Sequence, residues 1–340
     1  MAETSMPIPA PKKRIDFFDN LKGVLIILVV IGHFLLPVHN DNAVITPIYY
    51  LIYVFHMPLF VFVSGFFAAS IFKNGRLRSN KIFSMLLMAA LFQLTIMALK
   101  WDWSFDSFLN FNSAPWYLVS LACWNLLVPL FLTLKPKPAI IGAFALALLA
   151  GCCDGLTTYM SLVRTVGFLP FFLMGMYCTK EQLSAIKESS WLKWVALAAV
   201  AFMVWYCIFG TCTAELWQTG YYNSGYTGSN LVGMAARTVM FAIAVLMSLA
   251  LLFVMPSKHT FLCYLGERTL QIYILHRIIR QVFSIFGFFK LPVLLDPVWG
   301  PVILIALSLA VVAVCSIDVI RKPFDAIMGI KWNAIIKPAA

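Results

Sequence analysis

The sequence predicts an all-α integral membrane protein, a bundle of about ten transmembrane helices with both termini in the cytoplasm. Three observations predict this fold class. Of the 340 residues, 62% are hydrophobic and 11% are charged, whereas soluble domains have roughly 45–50% apolar and about 25% charged residues. The apolar residues also fall into long runs, and the basic residues collect at alternate ends of those runs.

The apolar runs define the individual elements, because a helix needs roughly 20 mainly apolar residues to cross a bilayer. The predicted spans are 21–38, 46–72, 82–98, 115–134, 139–153, 159–178, 191–210, 231–255, 269–288 and 298–320. The polar, basic start of the chain lacks the apolar stretch of a cleavable signal peptide. We therefore expect a cytoplasmic tail at 1–20, one ten-helix domain at 21–320 and a second cytoplasmic tail at 321–340.

The basic residues predict the orientation, because Lys and Arg are enriched in cytoplasmic loops. With ten spans, 19 of the 25 Lys and Arg residues lie on the side of the termini. The other six are Lys100, Arg164, Arg237, Arg277, Arg280 and Lys290. The net charge of +11 therefore reflects topology and not nucleic-acid binding, for which basic residues cluster on one soluble face. The cysteines show no metal-ligand spacing, so no metal is expected.

The first span carries His33, and ionisable residues inside a membrane mark candidate functional sites because they are costly there. His33 follows Lys22 by about three helical turns, so both project from one face, and Asp19 lies near that stripe. The helical rise puts His33 about 17 Å from Lys22, near mid-membrane. There it would take a proton from a hydroxyl or hold an acyl group. The alternative is a histidine that only bonds to another helix.

The second span contains His56 beside Pro58, followed by the pair Ser64-Gly65. Pro58 and this pair are expected to interrupt the helix, and such breaks free backbone groups to line a cavity. His56 would then face the same cavity as His33. A proline-kinked helix with a packing histidine is the alternative.

The sixth and ninth spans also contain polar residues. In the ninth, Tyr273, His276 and Arg280 share one face and would bind acceptor hydroxyls or an anionic group, unless Arg277 and Arg280 snorkel outward. Arg164 opens the sixth span and opposes the helix dipole there, which predicts an anionic or carbonyl partner. The outward connection 211–230 is aromatic and would either present rings to a sugar or form an interfacial belt.

Several motifs together resemble the membrane acyltransferase-3 family, and most of all its fucose 4-O-acetylase-like branch. In that family a basic residue and a first-helix histidine, taken as catalytic, are separated by ten positions, as Lys22 and His33 are here. Further signatures follow in the family's order up to the ninth span: His56-Met57-Pro58-Leu59-Phe60 with Ser64-Gly65, Pro115-Trp116-Tyr117-Leu118, Arg164 with 168–175, and Leu265-Gly266 with 270–276.

The resemblance implies an O-acyltransferase that uses acyl-CoA, usually acetyl-CoA, and modifies a hydroxyl of a carbohydrate or cell-envelope acceptor outside a bacterial cytoplasmic membrane. It implies that His33, with Asp19, is catalytic. Lys22, Arg76, Arg78 and Lys81 would hold the donor, and His56, Arg164, Tyr273 and His276 would contact the acceptor.

Two departures from the family pattern concern the donor site. Lys22 stands where many members have arginine. A lysine cannot make the bidentate contact with phosphate that an arginine makes. Arg76 and Arg78 are separated by one residue and lack the Arg-x-x-Arg spacing of many members. The excess of basic residues on the cytoplasmic side explains them equally well as phosphate binding does.

Two other function classes fit the same spans. One is a transporter or flippase of a sugar intermediate or small amino acid, which often has paired broken helices in its two halves. Only the second span shows such a break in the sequence. The other is a noncatalytic envelope-assembly protein, in which His33 and Lys22 would be replaceable.

Overall fold

The structure, a computed structural model, describes residues 15–111, 113–153, 159–210 and 229–332. In these ranges the chain is mainly helical, with one short hairpin of strands β1 (Phe72–Lys73) and β2 (Arg76–Leu77). The helices are α1 (Asp16–Leu35), α2 (Ile45–Tyr53), α3 (His56–Ala68), α4 (Ser79–Lys100), α5 (Phe105–Leu109), α6 (Trp116–Phe131), α7 (Pro136–Leu149), α8 (Leu162–Tyr177), α9 (Lys180–Glu188), α10 (Ser190–Phe209), α11 (Asn230–Val254), α12 (Phe261–Gly266), α13 (Thr269–Ile285), α14 (Trp299–Cys315) and α15 (Asp318–Met328).

The all-α prediction is confirmed, and each of the ten predicted spans overlaps at least one of these helices. Within the described ranges, five helical segments are long and apolar enough to cross a membrane, with α2 and α3 taken together, and up to seven if two bent pairs count as single spans. The segments around α6 and α7 are apolar but shorter. The chain is thus an integral membrane protein, while the count of ten spans and the cytoplasmic termini stay predictions.

The second span is interrupted, but only near Pro58 and not at Ser64-Gly65, the other predicted position. Helix α2 ends at Tyr53 and α3 begins at His56, so the break lies at residues 54–55, ahead of the proline. Pro58 occupies the first turn of α3, where its missing N–H breaks no helical hydrogen bond. Ser64 and Gly65 continue α3 as regular helix, so the expectation that they interrupt the span is wrong.

Two spans end in helices that turn sharply away. Helix α9 lies at 96° to α8 and begins with a capping box between Thr179 and Gln182. Helix α15 lies at 64° to α14, so the predicted tenth span stops at Cys315 and not at residue 320. Since α15 is apolar on one face and charged on the other, it has the character of an interfacial helix.

Glycines set the closest helix contacts of the bundle. Helices α3 and α8 meet at Gly65 and Gly175, where an added Cβ would overlap the carbonyl oxygen of the facing helix in each case. Helix α1 meets α12 in the same way through Gly266, which lies against the backbone of Asp19. Small residues let membrane helices approach this closely, and dispersion contacts then hold them together. These contacts fix α1 and α3, which carry the predicted site residues.

The outer parts of both predicted tails, at 1–14 and 333–340, lie outside the described residues, as does most of the aromatic connection at 211–228.

Candidate active site

Two predicted site residues from distant parts of the sequence meet in the bundle. His33 on α1 and His276 on α13 stack with ring centroids 5.0 Å apart, and His33 Nδ1 lies 2.7 Å from His276 Nε2. His276 is fully buried, whereas His33 is partly accessible. The pair brings the predicted catalytic histidine and a predicted acceptor-binding residue into direct contact.

The hydrogen bonds around this pair define which nitrogen carries each proton. His276 Nδ1 lies 2.8 Å from the carbonyl oxygen of Ile272, which only accepts, so His276 Nδ1 carries a hydrogen and donates it. In neutral His276 the Nε2 atom is then an acceptor, and His33 Nδ1–H donates to it. Neutral His33 is left with a lone pair on Nε2, the form required of a general base or a nucleophile.

His56 lies beside this pair, at the break between α2 and α3. Its Nδ1 donates to the carbonyl of Ile52, 2.7 Å away, and its side chain is buried. The Tyr53 ring connects the two sites, with its centroid 4.9 Å from His56 and 6.5 Å from His33. The break therefore has a function in the fold: it turns a tyrosine and a histidine toward the His33–His276 pair.

Lys22 and Asp19 form an ion pair about three turns away from His33 along α1. Lys22 Nζ lies 2.6 Å from Asp19 Oδ1, and the Asp19 side chain is 7% exposed. Asp19 precedes His33 by fourteen residues, which is about 21 Å along the helix axis. Asp19 therefore contacts the predicted donor-binding lysine, and the structure does not bring it to the predicted catalytic histidine.

A cavity of about 380 Å³ has Lys22 and Lys81, the latter exposed, in its lining. Its wall includes Val29, which lies on the same face of α1 as Lys22 and one helical turn before His33. The deep part is lined by Ser64, Tyr117, Asn125 and Tyr273, with apolar residues between them. Ligand pockets typically measure about 300–1,000 Å³, so the cavity is large enough for part of a cofactor.

Tyrosines connect the deep part of this cavity with the histidines. Tyr117 hydroxyl lies 2.5 Å from Ser64 Oγ, and the rings of Tyr117 and Tyr273 are 5.7 Å apart. Tyr273 donates its hydroxyl hydrogen to the carbonyl of Ala114, and its ring centroid lies 6.2 Å from that of His276. The predicted acceptor-binding residue Tyr273 thus lies between the cavity and the histidine pair.

The predicted phosphate-binding residues divide into two groups. Lys81 lines the mouth of the cavity together with Lys22. Arg76 and Arg78 are exposed at the β1–β2 hairpin, whose turn contains Asn74 and Gly75 with positive φ angles, and neither lines the cavity. The two lysines thus line the cavity and the two arginines do not, while donor binding by any of the four stays a prediction.

Arg164 and the last turns of α13 lie at the opposite end of the site. The Arg164 guanidinium carbon lies 5.4 Å from the centroid of the Trp116 ring, a cation–π contact. Arg277 follows His276 directly, and Arg280 follows it by one turn. The Arg277 side chain is buried, which contradicts the outward snorkelling alternative.

The structure also shows site residues that the sequence analysis missed. They are Val29, Tyr53 and Asn125, together with the carbonyl of Ile272, while Tyr117 stood in a family signature without an assigned role. Spacing could have found two of them, since Val29 lies one turn before His33 on the same face and Tyr53 lies three residues before His56. Ile272 was not detectable, because its role depends on a backbone oxygen.

One group at the Lys22 end has metal-ligand chemistry. Ligand atoms of Asp16, His259 and Cys263 all lie within 4.8 Å of one another. Cys263 Sγ also lies 3.0 Å from Asn20 Oδ1, and His259 is exposed. The expectation that no metal takes part in the reaction stays a prediction.

Comparison with known proteins identifies the class. The profile of the family described as "Acyltransferase domain" matches residues 15–317, nearly the whole described chain. The chain therefore belongs to the acyltransferase-3 family, and the predicted class, an acyltransferase, is confirmed at the level of the family.

Two named relatives match this chain over a short segment. One is the nodulation protein NolL of Sinorhizobium fredii, 51% identical over 55 residues, and the other is NolL of Mesorhizobium japonicum, 44% identical over 55 residues. In both cases the match covers 15% of this chain and 15% of the relative. No solved structure matches the chain.

Proposed function

We propose that the protein is a membrane-embedded O-acyltransferase, which moves an acetyl group from acetyl-CoA on the Lys22 side to a hydroxyl of a carbohydrate or cell-envelope acceptor on the opposite side. The observation that carries this proposal is the His33–His276 pair. Its hydrogen bonds leave a lone pair on His33 Nε2, one helical turn beyond a cavity that begins at two lysines.

In the direct route, His33 Nε2 accepts the proton of the acceptor hydroxyl, and the acceptor oxygen attacks the thioester carbonyl carbon. The new C–O bond forms, the C–S bond breaks, and the proton passes from His33 to the leaving CoA sulfur. His276 acts as a positioning residue, because its hydrogen bond orients the His33 ring and stabilises the imidazolium that forms. A base oriented by a third group is the arrangement of the serine-protease triad.

A stepwise route uses the same lone pair. His33 Nε2 then attacks the thioester, CoA leaves as a thiolate, and the acyl-imidazole transfers its acyl group to the acceptor oxygen. The proton from the acceptor hydroxyl goes to the CoA thiolate, so both routes give the same products. Isolation of an acetylated His33 after rapid quenching distinguishes the stepwise route from the direct one.

Donor binding at the Lys22 end follows from chemistry and shape. The phosphates of CoA would meet Lys22 and Lys81 at the mouth, and ammonium groups bind phosphate as point charges. The pantetheine arm would extend along the mainly apolar wall past Val29 toward His33. The two relatives come from rhizobia, in keeping with a bacterial cytoplasmic membrane whose outer face presents the acceptor.

The test uses purified protein in nanodiscs with radiolabelled acetyl-CoA, and follows donor hydrolysis and transfer to a crude envelope saccharide. General-base catalysis is worth about 10²–10⁴ in rate, so His33→Ala should lose nearly all turnover. His259→Ala is the matched control, since His259 is exposed and does not line the cavity. Both variants should show wild-type insertion and melting temperature.

Wild-type turnover by a well-folded His33→Ala protein would refute the assignment of His33. If no acetyl-CoA is consumed but a sugar intermediate crosses proteoliposome membranes without any acyl-CoA, the protein is a transporter and the proposed reaction is wrong.

A further inference from the structure

The end of α13 beyond the histidine pair carries two cations inside the protein. Arg280 lies four residues after His276 on the same helical face, which places their Cβ atoms about 5–6 Å apart. Arg277 lies one turn before Arg280, and its side chain is only 8% exposed. Arg277 is therefore buried next to the histidine pair, and Arg280 is partly buried one turn beyond it.

Neither group has an anionic partner among the described residues. Arg277 Nη1 is 3.4 Å from the neutral Gln281 Oε1, and the buried Nε of Arg280 has no hydrogen-bond partner in the described part of the chain. At the Lys22 end, by contrast, arginine is paired: Arg268 contacts Asp318, and Arg321 contacts Asp325. A buried charge is costly unless it is paired, so the two α13 arginines form an incomplete electrostatic arrangement.

Among the described residues, the groups that face these arginines supply no negative charge. Arg280 acts electrostatically on the hydroxyls of Tyr49 and Tyr53, which are neutral phenols. The third nearby cation, Arg164, acts on Tyr53 and Tyr273. His33 and His276 are neutral in the hydrogen-bonded arrangement described above. The local charge is therefore positive, and an external anion would complete it.

We propose that Arg277 and Arg280 form a subsite for an anionic group of the acceptor, a carboxylate, sulfate or phosphate carried about one sugar ring from the hydroxyl that His33 deprotonates. This inference rests on the proposed function, because it takes the molecule at this end to be the acceptor. The one-turn spacing between His276 and Arg280 fits a hydroxyl and an anionic substituent of the same or the neighbouring sugar. Arginine is suited to these anions, since its planar fork binds them through two parallel hydrogen bonds.

The subsite also predicts discrimination against neutral sugars. A neutral acceptor would leave two desolvated guanidinium groups unpaired, and sites built for a polar group reject analogues that lack it. The acceptor is therefore an acidic sugar or an anionic envelope polymer.

The experiment measures binding directly and needs no acyl donor. Purified protein in detergent is titrated with glucuronate and with inorganic sulfate, and glucose is the neutral probe, all at constant ionic strength adjusted with chloride. The melting temperature reports binding. We expect a saturable rise with both anions and none with glucose. Arg280→Gln should weaken anion binding by about tenfold or more, because it removes a charge-assisted contact, and Arg280→Lys should restore part of it.

Arg321→Gln is the matched control, because Arg321 is a partly exposed, ion-paired arginine at the Lys22 end. It should keep the wild-type response. Equal responses to glucose and glucuronate, or an anion response that is unchanged in both Arg277→Gln and Arg280→Gln, would overturn the inference.

The same titration on His33→Ala separates this inference from the proposed function. If the variant binds glucuronate normally, the subsite is supported whether or not acetyl transfer is found in the wild-type protein. If wild-type protein acetylates a neutral saccharide and Arg280→Gln does so equally fast, acyl transfer holds and the anionic subsite is refuted.

Discussion

At the Lys22 end of the site, the cation lies beside a carboxylate and lines an open cavity, whereas at the other end Arg277 is buried and Arg280 is partly buried, with no carboxylate within ion-pair distance of either among the described residues. In the first arrangement Asp19 offsets the charge of Lys22, so under the proposed function a phosphate gains less there than at a cation without a carboxylate beside it, which suits a donor that leaves after each turnover. The second attracts an anion more strongly. Under the two proposals, cations would hold a donor that must be released at one end and would select the acceptor at the other.

The largest expected effect comes from the histidine that lies between the two ends. His276→Ala should lower kcat by about 10²-fold, because His33 loses the acceptor that orients its ring. The KM for acetyl-CoA should stay within about twofold, since the donor phosphates bind at the other end. His276→Gln should recover part of kcat, because its amide oxygen can accept from His33 Nδ1–H. Steady-state kinetics in nanodiscs check this, and equal losses in the two variants would contradict an orienting role.

The second-largest effect is expected on donor binding at the Lys22 end. Lys22→Gln should raise the KM for acetyl-CoA by about tenfold or more and leave kcat unchanged, because a hydrogen bond to a charged group is worth about 1.5–3 kcal/mol. Acetyl-pantetheine lacks the nucleotide phosphates, so its KM should not respond to this substitution. Lys290→Gln, an exposed lysine outside the cavity, is the control. A drop in kcat with unchanged KM would place Lys22 in the chemistry and not in donor binding.

A smaller effect is expected when the charge at this end is kept. Lys22→Arg should change the KM for acetyl-CoA by less than about threefold, because a guanidinium binds phosphate as well as an ammonium does. The neighbouring Asp19 can accept from either side chain. Loss of donor binding in this variant would show that the cavity mouth requires the compact shape of lysine.

The smallest effect is expected at the β1–β2 hairpin. Arg76→Gln combined with Arg78→Gln should change the KM for acetyl-CoA by less than about twofold, because both side chains lie outside the cavity and exposed charges are screened by salt. The measurement is a donor titration at low and at moderate ionic strength. A tenfold rise in the KM for acetyl-CoA would show that Arg76 and Arg78 contribute to donor binding.

The helical fold and the stripe that joins Lys22 to His33 were predictable, because both depend on local periodicity. Composition revealed the membrane, and an eleven-residue spacing placed two polar groups on one face of α1. The contact between His33 and His276 joins residues 243 positions apart, and no local pattern encodes it. Arg76 and Arg78 show the opposite case, since the resemblance to the family implied a donor role for them, whereas the hairpin places them outside the lining of the cavity.

The position of the second-span break was also beyond local reasoning. A proline and a Ser-Gly pair can both interrupt a helix, yet the helix is broken here only in the segment before Pro58. Gly65 remains helical because the close approach of α8 requires a residue without a side chain at that position. The glycine that suggested flexibility in the sequence is therefore a packing residue in the structure.

The contacts that Gly65 and Gly175 each make with the backbone of the facing helix have a consequence for how freely this protein can change its sequence. Each glycine faces a carbonyl oxygen and not a side chain, so no replacement on the opposite helix can make room for a methyl group. In a library of random variants selected only for stable membrane insertion, these two positions should stay fixed while the lipid-facing residues around them diverge. Gly65 and Gly175 would thus remain recognisable in the sequences of variants that have lost the residues of the candidate active site.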